Sequence, residues 1–245
     1  MTTQQKVMIH SSIGGFNRTV AAQFAEIVNQ AIEAQGFANA ALSGGGTPQG
    51  VYAVLAAEPY RSAIRWESVH FYWGDERCVP PEDPESNYGQ AAAILFPRIP
   101  VRKENIHRIH GELGGETAAA DYVRELARRR QAGYGWPVLD IALMGMGEDG
   151  HTASLFPGQF VPDPDVAPAI AVTADYQGRP AARVTLTPQV FNTARNVLFL
   201  VAGEKKAPVL AKVLAGNSNL PAGLIHPAAG NLTWHVDRAA AGGFS

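Results

Sequence analysis

Short apolar runs alternate with longer amphipathic segments along most of the chain. The apolar runs predict strands at residues 7–10, 37–42, 69–73, 105–109, 169–172, 183–186, 196–201 and 231–236. Apolar residues three and four positions apart predict helices at residues 17–35, 49–57, 91–96, 116–131 and 204–214. Strands separated by helices require crossover connections, so the pattern predicts an α/β fold with a mostly parallel sheet flanked by helices.

The most informative stretch is residues 138–158, VLDIALMGMGEDGHTASLFPG. Its apolar run lacks the alternation of a half-buried strand, which predicts a strand covered by helices on both faces. Ligands of parallel sheets bind at the carboxyl ends of the strands. The glycines that follow the run would allow close backbone approach there. His151, two residues after Asp149, therefore becomes a candidate general base that the carboxylate could orient.

The glycine-rich residues of this stretch also allow a dinucleotide site or a metal site. Residues 145–150 match G-x-G-x-x-G, the fingerprint of dinucleotide-binding folds. That fingerprint requires a helix directly afterwards, and Pro157 with Gly158 leaves little room for one. A metal site is less favoured still, because no further His or Cys stands at ligand spacing. A purely structural histidine remains open on this loop alone. We expect neither a nicotinamide cofactor nor a metal.

Two further polar clusters follow predicted strands. Residues 43–48, SGGGTP, have the form of a phosphate cradle: a strand, a glycine-rich turn and then a helix N-terminus. The alternative is a tight turn in which Ser43 or Thr47 caps the helix. The second cluster is the charged triplet at residues 75–77, where Arg77 suits a bidentate contact to an anion, or where the triplet forms a solvated turn. Cys78 beside it could be a nucleophile, but no histidine stands near it in the sequence, so it is expected to be a small, half-buried residue.

Composition narrows the classes of function. A formal charge of -2 gives no basic field, and the arginine run at residues 128–130 is expected to be a solvated helix face, so we expect no nucleic-acid partner. The lone cysteine fits a reducing compartment. Without a signal peptide or an apolar segment of ~20 residues, a cytoplasmic protein with no membrane partner is expected.

No repeat or convincing linker divides the chain, so we expect one domain over residues 1–245. The best breaks are residues 162–165, which are expected to form a loop, and residues 239–245, which are expected to fray. The sequence leaves the oligomeric state open.

In chain order, the blocks LSGGGTPQGVY, FYWGDERCVP with SNYG, DIALMGMGEDGHTASLFPG, RVTLTP and VAGEKKAPVL resemble the 6-phosphogluconolactonase family. The blocks cover residues 42–210, most of the chain, and together they are highly specific. These hydrolases of the oxidative pentose phosphate pathway belong to a wider group that includes glucosamine-6-phosphate deaminase. The resemblance implies a Rossmann-like fold, no required cofactor, and hydrolysis of 6-phospho-D-glucono-1,5-lactone to 6-phospho-D-gluconate.

The resemblance also implies roles for individual residues. His151 would be the catalytic base, with Asp149 or Asp75 orienting it or the substrate. The phosphate and sugar-acid site would comprise Ser43, Gly44, Gly45, Gly46, Thr47, Arg77, Arg183 and Lys206. Lys206 is preferred over Lys205 because it directly precedes Ala207 in the G-x-x-K-A pattern of the group. The division of roles between the two arginines stays open.

Two rival functions remain. A deaminase or isomerase of the same group would carry Asp-Glu-Tyr at residues 75–77 and Asn-Glu-Pro-Gly in place of residues 154–158, and this chain has neither. A sensor that binds a sugar phosphate without turnover would need the same binding residues. Only a turnover assay separates that sensor from an enzyme.

Overall fold

The computed structural model describes residues 4–159, 163, 165–216 and 219–243. The strands in these ranges are β1 (Gln4–His10), β2 (Ala38–Leu42), β3 (Val69–Trp73), β4 (Asp75–Arg77), β5 (Ile106–His107), β6 (Ile141–Gly145), β7 (Ala169–Thr173), β8 (Ala182–Leu186), β9 (Asn196–Val201) and β10 (Asn231–Asp237). The α-helices are α1 (Ile13–Gln35), α2 (Gly46–Leu55), α3 (Tyr60–Ala63), α4 (Asn87–Ile94), α5 (Gly115–Arg128), α6 (Pro188–Asn192) and α7 (Ala207–Leu214).

The main sheet is parallel throughout, with the strand order β1-β10-β9-β6-β2-β3-β5. Strand β2 is buried along its whole length, and only the last residue of β6 is partly exposed. Burial on both faces explains why neither strand shows polar alternation. The prediction of a mostly parallel α/β fold is confirmed.

A second sheet of three antiparallel strands, in the order β4-β8-β7, was not predicted. The charged triplet at residues 75–77 is therefore buried strand β4, and the interpretation as a solvated turn is wrong. Glu76 explains how such a strand can be buried. Its carboxylate accepts hydrogen bonds from the N–H groups of Asn87 (2.7 Å) and Tyr88 (2.8 Å) at the start of α4. Burial raises the pKa of Glu76, although these and neighbouring hydrogen bonds oppose the shift.

Helix and strand boundaries depart from the predictions where capping decides them. Helix α1 begins at Ile13, four residues before the apolar periodicity begins, because the Ser12 side chain accepts the N–H of Gly15 (3.2 Å).

The expectation of a frayed end is wrong for the described part of the tail: Ala240 is fully buried and begins a short 3₁₀ helix, Ala240–Gly243. In the proposed loop at 162–165, only Asp163 and Asp165 belong to the described residues.

Asp140 ties the amino ends of the central strands together. One carboxylate oxygen accepts the N–H of Asn39 in β2 (2.8 Å), and the side chains of Gln35 and Arg195 donate to the same carboxylate. The side chain is almost completely buried, and burial raises its pKa despite these partners. This polar cluster fixes the register of β2 against β6 from the edge of the sheet opposite the pocket described below.

We expect Asp140→Ala to lower the free energy of unfolding by about 2 kcal/mol, because the buried N–H of Asn39 loses its acceptor. Urea denaturation followed by circular dichroism measures the change. Glu33→Ala removes the same charge from an exposed position of α1 and should change stability by less than about 0.5 kcal/mol. Equal losses in the two variants would contradict this role for Asp140.

Candidate active site

A pocket of about 250 Å³ opens at the carboxyl edge of the main sheet, under the small antiparallel sheet. Ten of the residues predicted for the site line it: Ser43, Gly44, Gly45, Gly46, Thr47, Asp75, Arg77, His151, Arg183 and Lys206. Asp149 lies behind His151 and contacts it without lining the pocket. Parallel strands that end at one edge thus bring together residues more than 160 positions apart in the chain.

The loop that carries His151 is compact and needs glycine. The N–H of Gly147 donates to the carbonyl of His151 (2.8 Å), and the hydroxyl of Thr152 donates to the carbonyl of Gly145 (2.8 Å). A Cβ on Gly147 would lie 2.1 Å from Nδ1 of His151, which no real contact allows. Gly150 adopts a φ of 85°, a left-handed conformation that favours glycine. These glycines give His151 its position.

Asp149 holds the imidazole through Nδ1. The Nδ1 to Oδ1 distance is 2.6 Å, and the same oxygen accepts the main-chain N–H of His151 (3.1 Å). Burial tends to raise the pKa of Asp149, but the hydrogen bonds and charge of His151 outweigh it and lower that pKa. An ionised Asp149 keeps the proton of a neutral imidazole on Nδ1. Nε2, which has no partner among the described residues, is then left with its lone pair.

Two aromatic rings enclose His151. The ring of Phe156 lies 4.5 Å from the imidazole centroid, and the ring of Tyr176 meets it edge-on at 4.6 Å. We did not predict either contact. Phe156 stands within the His151 block, where a packing role could have been proposed, but Tyr176 lies in the polar stretch between β7 and β8 and carries no local signal.

The glycine loop leaves a helix N-terminus open toward the pocket. Helix α2 is capped by Gly45, with a φ of 101° and no side-chain hydrogen bond, so the alternative of a Ser43 or Thr47 cap is wrong. In the first helical turn, the N–H groups of Gly46 and Thr47 have no acceptor within the helix, whereas Pro48 has no N–H and the N–H of Gly45 donates to Oε1 of Gln90 (2.9 Å). The hydroxyl of Ser43 is buried and has no partner among the described residues. Such a terminus with a free hydroxyl suits a phosphate.

Arg77 and Arg183 face each other across the ladder between β4 and β8. Both are nearly buried, and Nε of Arg77 and Nη2 of Arg183 have no hydrogen-bond partner among the described residues. Burial, together with the charge of Arg77, lowers the pKa of Arg183. Like charges directly opposite in a sheet destabilise it. The arrangement is therefore suited to receiving oxygen atoms of a polar or anionic ligand.

Asp75 does not orient His151 in this structure. Its carboxylate accepts hydrogen bonds from the hydroxyl of Ser154 (2.7 Å) and the amide of Asn87 (3.0 Å), and no described hydrogen bond joins it to the histidine. Of the two carboxylates that the sequence left open for this task, only Asp149 contacts the imidazole. Sequence reasoning missed Ser154 and Asn87, because a partner that fixes a buried carboxylate carries no spacing signal.

Lys206 and Lys205 lie in different environments. The ammonium of Lys206 reaches the carbonyl of Met146 at the end of β6, whereas Lys205 is exposed. Burial lowers the pKa of Lys206, and the nearby charges of Glu148 and Asp237 oppose that shift. Cys78 lies outside the pocket lining, and burial followed by the charge of Glu76 raises the pKa of its thiol, which disfavours a thiolate nucleophile.

The described residues contain no cluster of three His, Cys, Asp or Glu side chains arranged to hold a metal ion. In the same part of the chain, no helix has the length and apolar character required to cross a membrane.

Comparison with known proteins supports this picture of the fold. Residues 15–234 match the family model described as glucosamine-6-phosphate isomerases/6-phosphogluconolactonase. The 6-phosphogluconolactonase of Haemophilus influenzae is 40% identical over 81% of this chain and 84% of its own. A crystal structure named devB protein superposes with a TM-score of 0.88 at 35% identity, covering 99% of this chain and 100% of the other. The 6-phosphogluconolactonase of Thermotoga maritima superposes with a TM-score of 0.83 at 28% identity, over 96% and 100% of the two chains. The chain therefore belongs to the glucosamine-6-phosphate isomerase/6-phosphogluconolactonase family.

Proposed function

We propose that this protein hydrolyses 6-phospho-D-glucono-1,5-lactone to 6-phospho-D-gluconate, with His151 as the general base. The observation that carries the proposal is the His151–Asp149 pair in the same pocket as the open N-terminus of α2. The names of the curated relatives support the substrate. The triplet Asp75-Glu76-Arg77 in place of Asp-Glu-Tyr argues against a deaminase.

The chemistry requires one proton acceptor that later becomes a proton donor. Nε2 of His151 takes a proton from a water molecule as the water oxygen attacks C1 of the lactone, and Asp149 stabilises the imidazolium that forms. The tetrahedral intermediate then expels the ring oxygen. That oxygen receives the proton from Nε2, so the products are the free acid and a regenerated imidazole. No net proton is taken from the protein.

The two cationic parts of the pocket bind different parts of the substrate. The ammonium of Lys206, carried by the turn after β9, reaches the end of β6, and β6 neighbours β2, which leads into the open terminus of α2; these groups hold the phosphate. Arg77 and Arg183 lie on the small sheet. The charges of Arg77, Asp75, Arg179 and Glu85 all influence the pKa of Arg183, and Lys206 is not among them. We assign the two arginines to the oxygens of the lactone ring and its carboxylate product.

Clamping the phosphate away from C1 aids the chemical step. It fixes the ring relative to His151, so that remote binding energy contributes to the orientation of the attacking water.

We also propose that residues 1–245 act as a single domain. The described residues form a contiguous apolar core that includes side chains from the main sheet, the small sheet and the helices.

His151→Asn should lower kcat by ~10²–10⁴, the usual worth of a general base, and leave binding of 6-phosphogluconate largely intact. Turnover of freshly generated 6-phosphogluconolactone measures this against a no-enzyme control, since the lactone also opens unaided. His110→Asn is the matched control, because His110 pairs with Asp121 (2.7 Å) outside the pocket. Equal turnover in both variants would rule out His151 as the base, and absence of turnover in the unaltered protein would favour the sensor.

Gly147→Ala should lower kcat by at least about tenfold, because the added methyl group would displace His151 from Asp149. Gly135→Ala is the control: its Cβ meets no atom within 4 Å and it lies outside the pocket lining, so near-normal kcat is expected. Thermal melts of both variants separate displacement of the base from unfolding. A Gly147→Ala variant with normal kcat would contradict the required geometry.

Lys206→Ala should lower kcat/KM for the phosphorylated lactone by roughly ten- to a hundred-fold, the worth of one charge-assisted hydrogen bond. Unphosphorylated gluconolactone cannot use the clamp, so both forms of the enzyme should turn it over equally poorly. Lys205→Ala removes the neighbouring exposed charge and should have little effect. If Lys206→Ala impaired both substrates to the same degree, the lysine would serve the carbonyl chemistry or folding instead.

A further inference from the structure

A second pocket, of about 320 Å³, opens at the amino ends of β2 and β3, on the edge of the main sheet opposite the candidate active site. Its lining includes His70 and the arginine run at residues 128–130, and no acidic side chain is among the described residues that line it. We call it the arginine pocket. All three arginines are exposed, as expected, but helix α5 ends at Arg128, so the rest of the run does not lie on a helix face.

The arginines are unequally engaged. Arg128 donates to the carboxylate of Glu125 (2.8 Å), and Arg130 makes a long contact to the carbonyl of Ala127 (3.3 Å). The guanidinium of Arg129 has no acceptor among the described residues. Burial, followed by the charge of Arg129, lowers the pKa of His70 to about 4, so His70 is neutral near pH 7.

A chain of hydrogen bonds determines which nitrogen His70 offers. Glu125 lies 2.8 Å from Nδ1 of His107, and Nε2 of His107 lies 3.0 Å from Nδ1 of His70. The carboxylate can only accept, so Nδ1 of His107 carries a proton and its Nε2 accepts one from Nδ1 of His70. Nε2 of His70 is then an acceptor with no partner among the described residues. An acceptor beside an exposed guanidinium that has no protein acceptor suits a ligand with both an anionic group and a hydroxyl donor.

We propose that the arginine pocket binds a small hydroxylated phosphate monoester, such as a sugar phosphate. The fork of Arg129 holds the phosphate, assisted by Arg128, and a hydroxyl of the ligand donates to Nε2 of His70. The apolar walls, which include Phe37 and Val138, contact the carbon skeleton. This site is separate from the substrate pocket and does not depend on the proposed reaction.

Side-chain ¹⁵N NMR of the histidines during titration with glycerol 3-phosphate tests the proposal. The resonances of His70 and His107 should shift saturably, and inorganic sulfate, which has no hydroxyl donor, should bind more weakly. Arg129→Gln should raise the Kd at this site about tenfold, the loss expected for one charge-assisted hydrogen bond. Binding at the active site is reported separately by His151.

Arg124→Gln is the matched control, because Arg124 lies on helix α5, pairs with Asp121 and does not line the pocket. It should leave the Kd unchanged. Three outcomes would overturn the proposal: shifts of His151 without shifts of His70, equal weakening by the two arginine variants, or sulfate binding as tightly as glycerol 3-phosphate.

Discussion

The parallel pairing of β6 with β2 and β9 is the constraint on which the rest of the site depends. It makes these three strands end at one edge, where their following loops must meet. The loop after β6 carries His151, the loop after β2 leads into α2, and the turn after β9 carries Lys206. Hydrogen bonds between Asp140, directly before β6, and Asn39 in β2 hold these two strands in register. The register therefore determines where the reactive groups lie.

The small antiparallel sheet contributes buried charged residues to the pocket, and the arginines among them lack some hydrogen-bond partners. Glu76 is satisfied by main-chain N–H groups, and Asp75 is held by Ser154 and Asn87. The arginine pair keeps donors without acceptors. A fold normally pairs its buried polar groups, so unpaired donors that border a pocket indicate where a ligand contributes the missing acceptors. An oxyanion bound here would accept hydrogen bonds from these donors, and those bonds would contribute to its binding free energy.

The two edges of the main sheet have different chemistry. At the carboxyl edge, open main-chain N–H groups, a lysine and two arginines surround one histidine held by a carboxylate. At the amino edge, a buried carboxylate, Asp140, satisfies the main chain, and the arginine pocket lies beside it. Both edges can receive an anion. Among the described residues, the carboxyl edge combines a histidine held by a carboxylate with an open helix N-terminus, and the proposed hydrolysis rests on this combination.

Most features that the sequence predicted correctly depend on residues that are close together in the chain. Apolar runs located the parallel strands, and strand β9 was predicted with the bounds it has, because burial on both faces leaves an uninterrupted apolar signature. The pairing of Asp149 with His151 was also visible, since the two residues are separated by a single position. Separate sequence blocks between residues 42 and 210 indicated the family. These features depend on neighbours in the chain.

Tertiary structure alone decided the remainder. Strand β4 is polar in sequence and became a strand because Glu76 finds its partners in α4, eleven and twelve positions later. Tyr176 reaches His151 from a different connection of the chain, and Arg77 meets Arg183 across more than a hundred residues. Such contacts arise from the arrangement of the two sheets, which no local periodicity encodes. The sequence by itself determined which residues could do chemistry, and packing decided which of them share a pocket.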